Sequence, residues 1–128
     1  MQLKNIPYIT LWVNKFEETI SFYKNILELP VESEDENFIQ FNTAGTKLFI
    51  HRSMSGIEEP LRKDVLEIHF DVNDVDKVYK ELESRGVEFE SVPKNMPWGT
   101  RVVAFKDPEG FTVELVGPHK KGEAIAKH

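Results

Sequence analysis

Two stretches of the chain alternate between apolar and polar residues, at positions 6–13 and 65–72. A period of two places every second side chain on the same face, which predicts two half-buried strands. Each stretch is followed by apolar residues at helical spacing, at positions 16–27 and 75–85. The pattern therefore predicts a strand followed by a helix, and then the same order again.

Residues that favour helix boundaries stand where these two helices would begin and end. Pro30 stops any continuation of the first helix, because a proline lacks the N–H and clashes with the preceding turn. Asn73 or Asp74 is placed to cap the second helix. Gly86 follows it in the position that favours a left-handed residue.

Short strand signals and turns follow each helix. Turn residues at 43–45 and 107–110 precede the last strand of each half. This order predicts two tandem βαβββ modules of an α+β fold, the alternative being a generic α+β chain that alternates by chance. The additional predicted strands are residues 31–35, 37–42 and 47–51 in the first half, and residues 87–92, 100–106 and 111–116 in the second.

The length of 128 residues suits one domain. The repeat is visible in the residues themselves, since Leu11 to Phe16 matches Phe70 to Val75 in pattern. We expect a single domain over residues 1–128, with its parts at about the following positions: module one at 6–51, a linker at 52–64, module two at 65–117 and a frayed tail at 118–128.

In each module the helix must cover one face of the sheet. The aliphatic residues of the strands suit that face: Ile9, Leu11, Val13, Leu48, Ile50, Leu66, Ile68, Phe70, Val113 and Leu115. The opposite face then carries Tyr8, Thr10, Trp12, Phe49, His51, Glu67, His69, Asp71, Val103, Phe105, Thr112, Glu114 and Val116. Large apolar side chains among ionisable groups predict a half-buried ligand pocket, with a subunit interface as the alternative.

Glu67 and Glu114 are the most informative pair on this second face. A buried carboxylate needs a cation, a metal or a shared proton. The two glutamates could therefore form a general acid/base pair, or together with His51 and His69 they could bind a divalent cation such as Zn²⁺, Fe²⁺ or Mn²⁺. Alternatively, each glutamate reaches solvent or pairs with Arg101 or a histidine.

Trp98 and Arg101 flank Gly99 and Thr100 at the lip of a predicted loop. An aromatic ring and a guanidinium in this position could stack on a planar ligand or clamp an anionic one. Anchoring of the loop on the core is the alternative interpretation.

Composition limits the classes of partner. The formal net charge of −6 argues against nucleic acid, whose phosphates require a basic face. No apolar run approaches the length of a membrane span, and the N-terminus lacks the apolar region of a signal peptide. With no cysteine, the chain is compatible with the reducing cytoplasm, where we expect it.

Two motifs resemble the vicinal oxygen chelate superfamily, which includes glyoxalases, bleomycin-resistance proteins and dioxygenases. Tyr8 to Val13 and Ser21 to Pro30 look like its opening strand and its "FY…vLGl" helix end. Phe105 to Leu115 looks like its closing "f.DPdGn.iEl" hairpin. The resemblance covers residues 6–117 and implies a curved, half-barrel mixed sheet with helices on the outside.

The resemblance also implies four metal-ligand positions, which fall on Tyr8, Phe49, Glu67 and Glu114. Phe49 cannot bind a metal and Tyr8 is an uncommon ligand. Only the two glutamates therefore have side chains that commonly bind metal ions. This departure indicates loss of the usual metal, although magnesium or manganese could still bind two carboxylates and water.

Together these features predict a cytoplasmic, homodimeric protein that binds a small molecule and has a degenerate metal site. The alternative is a metal-dependent lyase, isomerase or dioxygenase that uses Glu67 and Glu114 as ligands or as an acid/base pair. No cofactor is firmly predicted, and a divalent ion of zinc, iron, manganese or magnesium is the candidate. The expected ligand-binding residues are Tyr8, Trp12, Phe49, His51, His69, Trp98 and Arg101.

Overall fold

The computed structural model describes residues 1–53 and 66–127. The chain divides into two compact units, residues 1–61 and 62–128, and each holds one βαβββ module. The α+β fold and the tandem modules are therefore confirmed. The linker expected at 52–64 falls almost entirely outside the described residues.

Module one contains a four-stranded mixed sheet with one helix. Its elements are β1 (Tyr8–Val13), α1 (Phe16–Ser21), β2 (Val31–Glu34), β3 (Phe38–Phe41) and β4 (Lys47–Arg52). The sheet order is β1-β4-β3-β2; β1 is parallel to β4, and the other neighbours are antiparallel. The helical segment and the strands bury a common core that includes Phe16, Tyr23, Ile39, Phe41 and Ile50.

The first helix ends in a wider turn than an α-helix has. Residues Phe22–Ile26 are π-helical and continue directly from α1. Glu28 then takes a φ of 57°, the one positive value outside glycine among residues 1–53 and 66–127. A left-handed residue at this point ends the helix before Pro30, as the sequence predicted for this boundary.

Module two contains β5 (Glu67–Asp71), α2 (Val75–Ser84), β6 (Lys94–Asn95), β7 (Thr100–Lys106) and β8 (Thr112–Pro118). It repeats the arrangement with the order β5-β8-β7-β6, in which β5 is parallel to β8. Asp74 caps α2 by accepting a hydrogen bond from the Lys77 N–H at 3.1 Å, and Gly86 ends it with a φ of 91°. Both boundaries agree with the sequence prediction.

Val103 and Phe105 lie on the helix side of the second sheet, so the prediction that they face the pocket was wrong. They are paired in register with Leu115 and Val113, and residues opposite each other in an antiparallel pair share a face. Both are almost completely buried. The even-numbered residues of β7 lie on the opposite face of the sheet instead, where the sequence predicts the pocket.

The strand predicted at 87–92 was also wrong, because this segment makes only an isolated bridge between Phe89 and Phe105. The Phe89 ring packs edge-on against Tyr79 of α2 and against Phe105, at 4.6 and 5.3 Å between centroids. The segment thus covers the helix side of the sheet. Pro93, which has no N–H, ends it, and the edge strand is the two-residue β6.

The residues after β8 are hydrogen-bonded, in contrast to the fraying expected of them. Ala126 donates its N–H to the carbonyl of Asn95, and Glu123 forms an ion pair with Arg101. No helix in the described parts of the chain has the length and apolarity needed to cross a membrane.

Candidate functional site

Module two contains a cavity of about 470 Å³ on the face of its sheet opposite α2. Strands β5, β7 and β8 supply its floor, and the loop between β6 and β7 supplies its rim. We call it the module-two cavity. Its lining residues are Glu67, His69, Met96, Trp98, Thr100, Val102, Glu114 and Val116.

Strand register brings three ionisable side chains of this cavity together. His69 of β5 lies directly opposite Glu114 of β8, and its Nδ1 is 3.0 Å from Oε1 of Glu114. Its Nε2 is 3.4 Å from Oε1 of Glu67, two residues earlier on the same strand. The imidazole therefore lies between two carboxylates.

The contact between Glu67 and His69 differs from the sequence expectation. Alternate residues on a strand are about 7 Å apart, so Glu67 and His69 can touch only if both side chains extend toward each other. Both are long enough to lean toward each other. Glu114 is the best buried member, with 22% of its side chain exposed against about half for the other two.

The donor atoms of this cluster suit a divalent cation. One ligand atom from each of Glu67, His69 and Glu114 can be chosen so that all lie within 4.8 Å of one another. Imidazole and carboxylate are the ligands of zinc, iron and manganese sites. The Oγ1 of Thr100, in the same cavity, is buried without a hydrogen-bond partner in the described structure. The residues present therefore fit a metal ion with a bound water or substrate oxygen.

Module one presents an aromatic surface on its own sheet. The rings of Tyr8 and Phe49 stack at 4.7 Å, and those of Trp12 and His51 lie at 4.2 Å. Phe38, which sequence reasoning missed, lies between the two pairs, 6.1 Å from Phe49 and 6.3 Å from His51. The alternation of β3 contained the signal for Phe38, since it shares a face with its register partner His51.

Two of the four metal positions implied by the family resemblance thus form a stacked pair. Tyr8 and Phe49 pack on each other in module one, and an aromatic stack offers no set of ligands. His51, the fourth residue of the proposed cation set, hydrogen-bonds through Nδ1 to the carbonyl of Arg52. The cluster in module two is therefore Glu67, His69 and Glu114.

Arg101 lies on the helix side of the second sheet, away from the module-two cavity. Its guanidinium is 3% exposed and makes a bidentate pair with Asp76 of α2, at 2.6 and 3.0 Å. This guanidinium holds the pKa of the Asp76 carboxyl below its usual range. Trp98 lines the cavity, so Trp98 and Arg101 do not clamp a ligand between them.

A second depression of about 550 Å³ lies beside the start of α2, and it includes Asp76, Lys77, Arg101 and Lys120. Its buried charge is already neutralised, because Asp76 and Arg101 satisfy each other. Its two carboxylates already have partners, since Asp74 caps α2 and Asp76 pairs with Arg101, so the module-two cavity remains the candidate site.

Comparison with known proteins places this architecture in a family. Residues 5–115 match the model of the Glyoxalase/Bleomycin resistance protein/Dioxygenase superfamily. The chain belongs to this superfamily. It is also similar to the uncharacterized protein YraH of Bacillus subtilis, with 33% identity over 120 residues, covering 84% of this chain and 93% of that protein.

Two solved structures share the fold of this chain. A glyoxalase/bleomycin resistance protein/dioxygenase from Nocardioides has a TM-score of 0.78 at 23% identity, covering 100% of this chain and 92% of that chain. TnmS3, an antibiotic-binding protein from Streptomyces, has a TM-score of 0.75 at 24% identity, covering 93% and 99%. These similarities support the fold described above for this chain.

Proposed function

We propose that this protein binds a small molecule in the module-two cavity and carries a degenerate form of the superfamily's metal site. The observation that supports this most directly is the placement of Glu67 and Glu114 on the floor of the cavity, with Trp98 on its lining. A mainly apolar cavity with a few converging polar groups is the usual form of a ligand site.

The chemistry of the cavity favours a ligand with a cationic or hydrogen-donating group and an apolar body. Two carboxylates accept hydrogen bonds, while Val102, Val116 and Trp98 offer apolar contact. TnmS3, whose fold is similar, is described as an antibiotic-binding protein. An amine-bearing aromatic compound is therefore the ligand class that we propose.

A binding screen tests this proposal. Bleomycin and a panel of aromatic amines would be titrated into metal-free protein by calorimetry. Glu67→Gln and Glu114→Gln should each weaken binding of an active compound by about tenfold or more, because a charge-assisted hydrogen bond contributes about 1.5–3 kcal/mol. Glu88→Gln, an exposed glutamate outside the cavity, is the matched control.

Two results would count against ligand binding at this place. Either no compound in the panel binds, or a compound binds with the same affinity to wild type and to both cavity variants. Loss of binding in the Glu88→Gln control would show that general charge, and not the cavity, is responsible.

The second candidate function is that of a metal-dependent lyase, isomerase or dioxygenase. The observation that favours it is the contact of His69 with both Glu67 and Glu114, together with the buried Oγ1 of Thr100. A bound divalent metal would supply Lewis acidity at a substrate oxygen. The two glutamates would hold the ion or move a proton, and Thr100 would donate or accept a hydrogen bond at the substrate.

Metal analysis separates the two candidates. Protein purified without an affinity tag should contain stoichiometric zinc, iron or manganese if the enzyme proposal is right, and Glu67→Ala/Glu114→Ala should lose it. Metal-free wild-type protein that binds its ligand in the cavity would eliminate the enzyme proposal. Stoichiometric metal lost in the double variant would eliminate a binding-only function.

Assembly and location are proposals of the same kind. We propose a homodimer in the cytoplasm, a single functional domain over residues 1–128 and no nucleic-acid partner. The family model spans both modules in one match, which supports the single domain, and the net charge of −6 supports the absence of nucleic acid. A monomeric mass at micromolar concentration by light scattering would contradict the dimer.

A further inference from the structure

The residues that follow β8 fold back along the hairpin formed by β6 and β7. Ala126 donates its N–H to the carbonyl of Asn95 at 2.7 Å, and Ile125 forms a parallel bridge with Asn95. Strand β6 is only two residues long, so this segment completes the pairing of the sheet edge. We call residues 119–126 the C-terminal strap.

The side chain of Asn95 is the main attachment point of the strap. It is 2% exposed, and its Nδ2 donates to the carbonyls of Lys120 at 2.9 Å and Glu123 at 3.2 Å. Its Oδ1 accepts from the Lys120 N–H at 2.9 Å and from Arg101 at 3.1 Å. An amide has two donors and two acceptor positions, so the strap and Arg101 satisfy all four.

An ion pair attaches the strap a second time. Oε2 of Glu123 lies 2.5 Å from Nη1 of Arg101, while the other side of the same guanidinium holds Asp76. Arg101 is buried, whereas about half of the Glu123 side chain is exposed, so solvent screens this pair in part. One guanidinium therefore joins the strap, strand β7 and helix α2.

A third contact joins the strap to the rim of the module-two cavity. His119 donates from Nε2 to the carbonyl of Met96 at 2.8 Å, and that carbonyl also accepts from the Gly99 N–H at 3.1 Å. Met96 and Trp98 both line the cavity. The rim loop is further closed by a hydrogen bond from the Met96 N–H to the carbonyl of Thr100.

We propose that the C-terminal strap positions the loop of Met96 to Gly99, so that Trp98 is held at the module-two cavity, and that Asn95 is the positioning residue through which the strap acts. The strap contacts the start of the loop twice, at the Asn95 side chain and at the Met96 carbonyl. Detachment of the strap would leave the buried Asn95 amide with its Arg101 hydrogen bond but without the three from the strap, and would free the loop. The consequence for ligand affinity rests on the proposed function, whereas the consequence for the loop does not.

The test uses ligand-free protein in which Trp98 is the single tryptophan, obtained with Trp12→Phe. Because Trp98 is 57% exposed, the readout is its local motion, and removal of residues 119–128 should lower the fluorescence anisotropy of Trp98. Hydrogen exchange at the Met96 and Gly99 amides should accelerate about tenfold or more, because several hydrogen bonds that each contribute about 1 kcal/mol are lost. The amides of Val113 and Leu115 in β8 are the internal reference for global unfolding.

A side-chain variant keeps the test decisive if the truncated chain fails to fold. His119→Ala/Glu123→Ala removes two attachments and retains the backbone of the strap. Exchange at Met96 and Gly99 should then accelerate about fivefold relative to the reference amides. Lys121→Ala, an exposed residue of the same segment, is the matched control.

Two results would overturn the proposal. One is a folded truncated protein with wild-type fluorescence anisotropy of Trp98 and wild-type exchange at the loop. The other, if truncation unfolds the module, is a His119→Ala/Glu123→Ala protein whose loop and reference amides change equally. Neither result depends on a ligand, so a failure here is distinguishable from failure of the proposed binding function.

Discussion

Asp76 and Arg101 form a bidentate pair between helix α2 and strand β7, with N–O distances of 2.6 and 3.0 Å. The guanidinium is almost completely buried, and a quarter of the Asp76 side chain is exposed. Because Asp76 belongs to the helix and Arg101 to the sheet, the pair fixes how the helix lies on the second sheet. Its role is therefore structural.

Asp76→Asn should destabilise module two by about 2–4 kcal/mol at neutral pH, because it leaves a buried guanidinium with only part of its compensation. Arg101 lowers the pKa of Asp76 in the folded state, chiefly through their hydrogen bond. The carboxylate thus stabilises the fold above the unfolded pKa, which is about 3.9, and this contribution is lost as pH falls through the lower folded pKa. The measurement is the free energy of unfolding by urea between pH 2 and 7.

The difference between wild type and Asp76→Asn should accordingly be largest at neutral pH and should shrink only in the acid range, below about pH 4. Glu88→Gln serves as a control for general charge effects. A difference that stays constant down to the lowest pH would show that the stabilisation does not depend on the ionised carboxylate.

Gly117→Ala should destabilise the protein by about 1–3 kcal/mol through overpacking. A Cβ at this position would lie 2.7 Å from the carbonyl oxygen of Val72 and 2.9 Å from Cγ2 of Val75. The backbone oxygen cannot move freely, so β8 would shift relative to α2. Thermal denaturation checks the expected loss.

A second substitution identifies the cause of that loss. Val75→Ala removes the side-chain contact but leaves the carbonyl of Val72 in place. Gly117→Ala should therefore cost less in a Val75→Ala background than in wild type, while still costing something. Equal costs in both backgrounds would mean that Val75 takes no part in the clash.

Glu28→Gly should stabilise module one by about 0.5–1 kcal/mol. The φ of 57° at Glu28 is a conformation that side chains with a Cβ rarely adopt, and the "vLGl" motif of the superfamily has glycine there. Part of the gain is offset because glycine adds freedom to the unfolded chain. Glu28→Ala retains the strain and is the control. A melting temperature that rises equally with alanine would point to charge and not to backbone conformation.

Phe49→Leu should destabilise module one by about 1–2 kcal/mol, since it removes ring contacts with Tyr8 and Phe38 that contribute about 0.5–1.5 kcal/mol each. Phe49→Tyr keeps the ring and should be close to neutral. Unfolding by urea provides the comparison. If leucine and tyrosine were equally well tolerated, the aromatic surface would contribute little beyond its apolar area.

Much of this structure could be predicted from local pattern. Alternation along β5 placed Glu67 and His69 on one face, and the closing motif placed Glu114 on the neighbouring strand. Their meeting at the floor of a cavity follows from the parallel register, in which His69 lies opposite Glu114. The helix boundaries at Asp74 and Gly86 follow from capping chemistry alone.

Other features depend on contacts between residues far apart in sequence. Strand β7 is apolar on both faces from Val102 to Phe105, so its pattern could not say which residues face the helix. Register with β8 decides the matter. Likewise, nothing near Arg101 indicates that its partner is Asp76, and an arginine beside Trp98 suggested a ligand clamp that the structure does not form.

The two sheets have a consequence for how the chain folds. In each module the first strand pairs with the last, Tyr8 with Lys47 and Glu67 with Thr112. The chain between these strands, which includes the helix, must close into a loop when this pairing forms. Such distant pairing slows folding, because the entropy of loop closure is lost before the contacts are gained. On the ribosome, neither sheet can be completed until its last strand has emerged, and until then the first strand has no neighbour in its sheet to pair with.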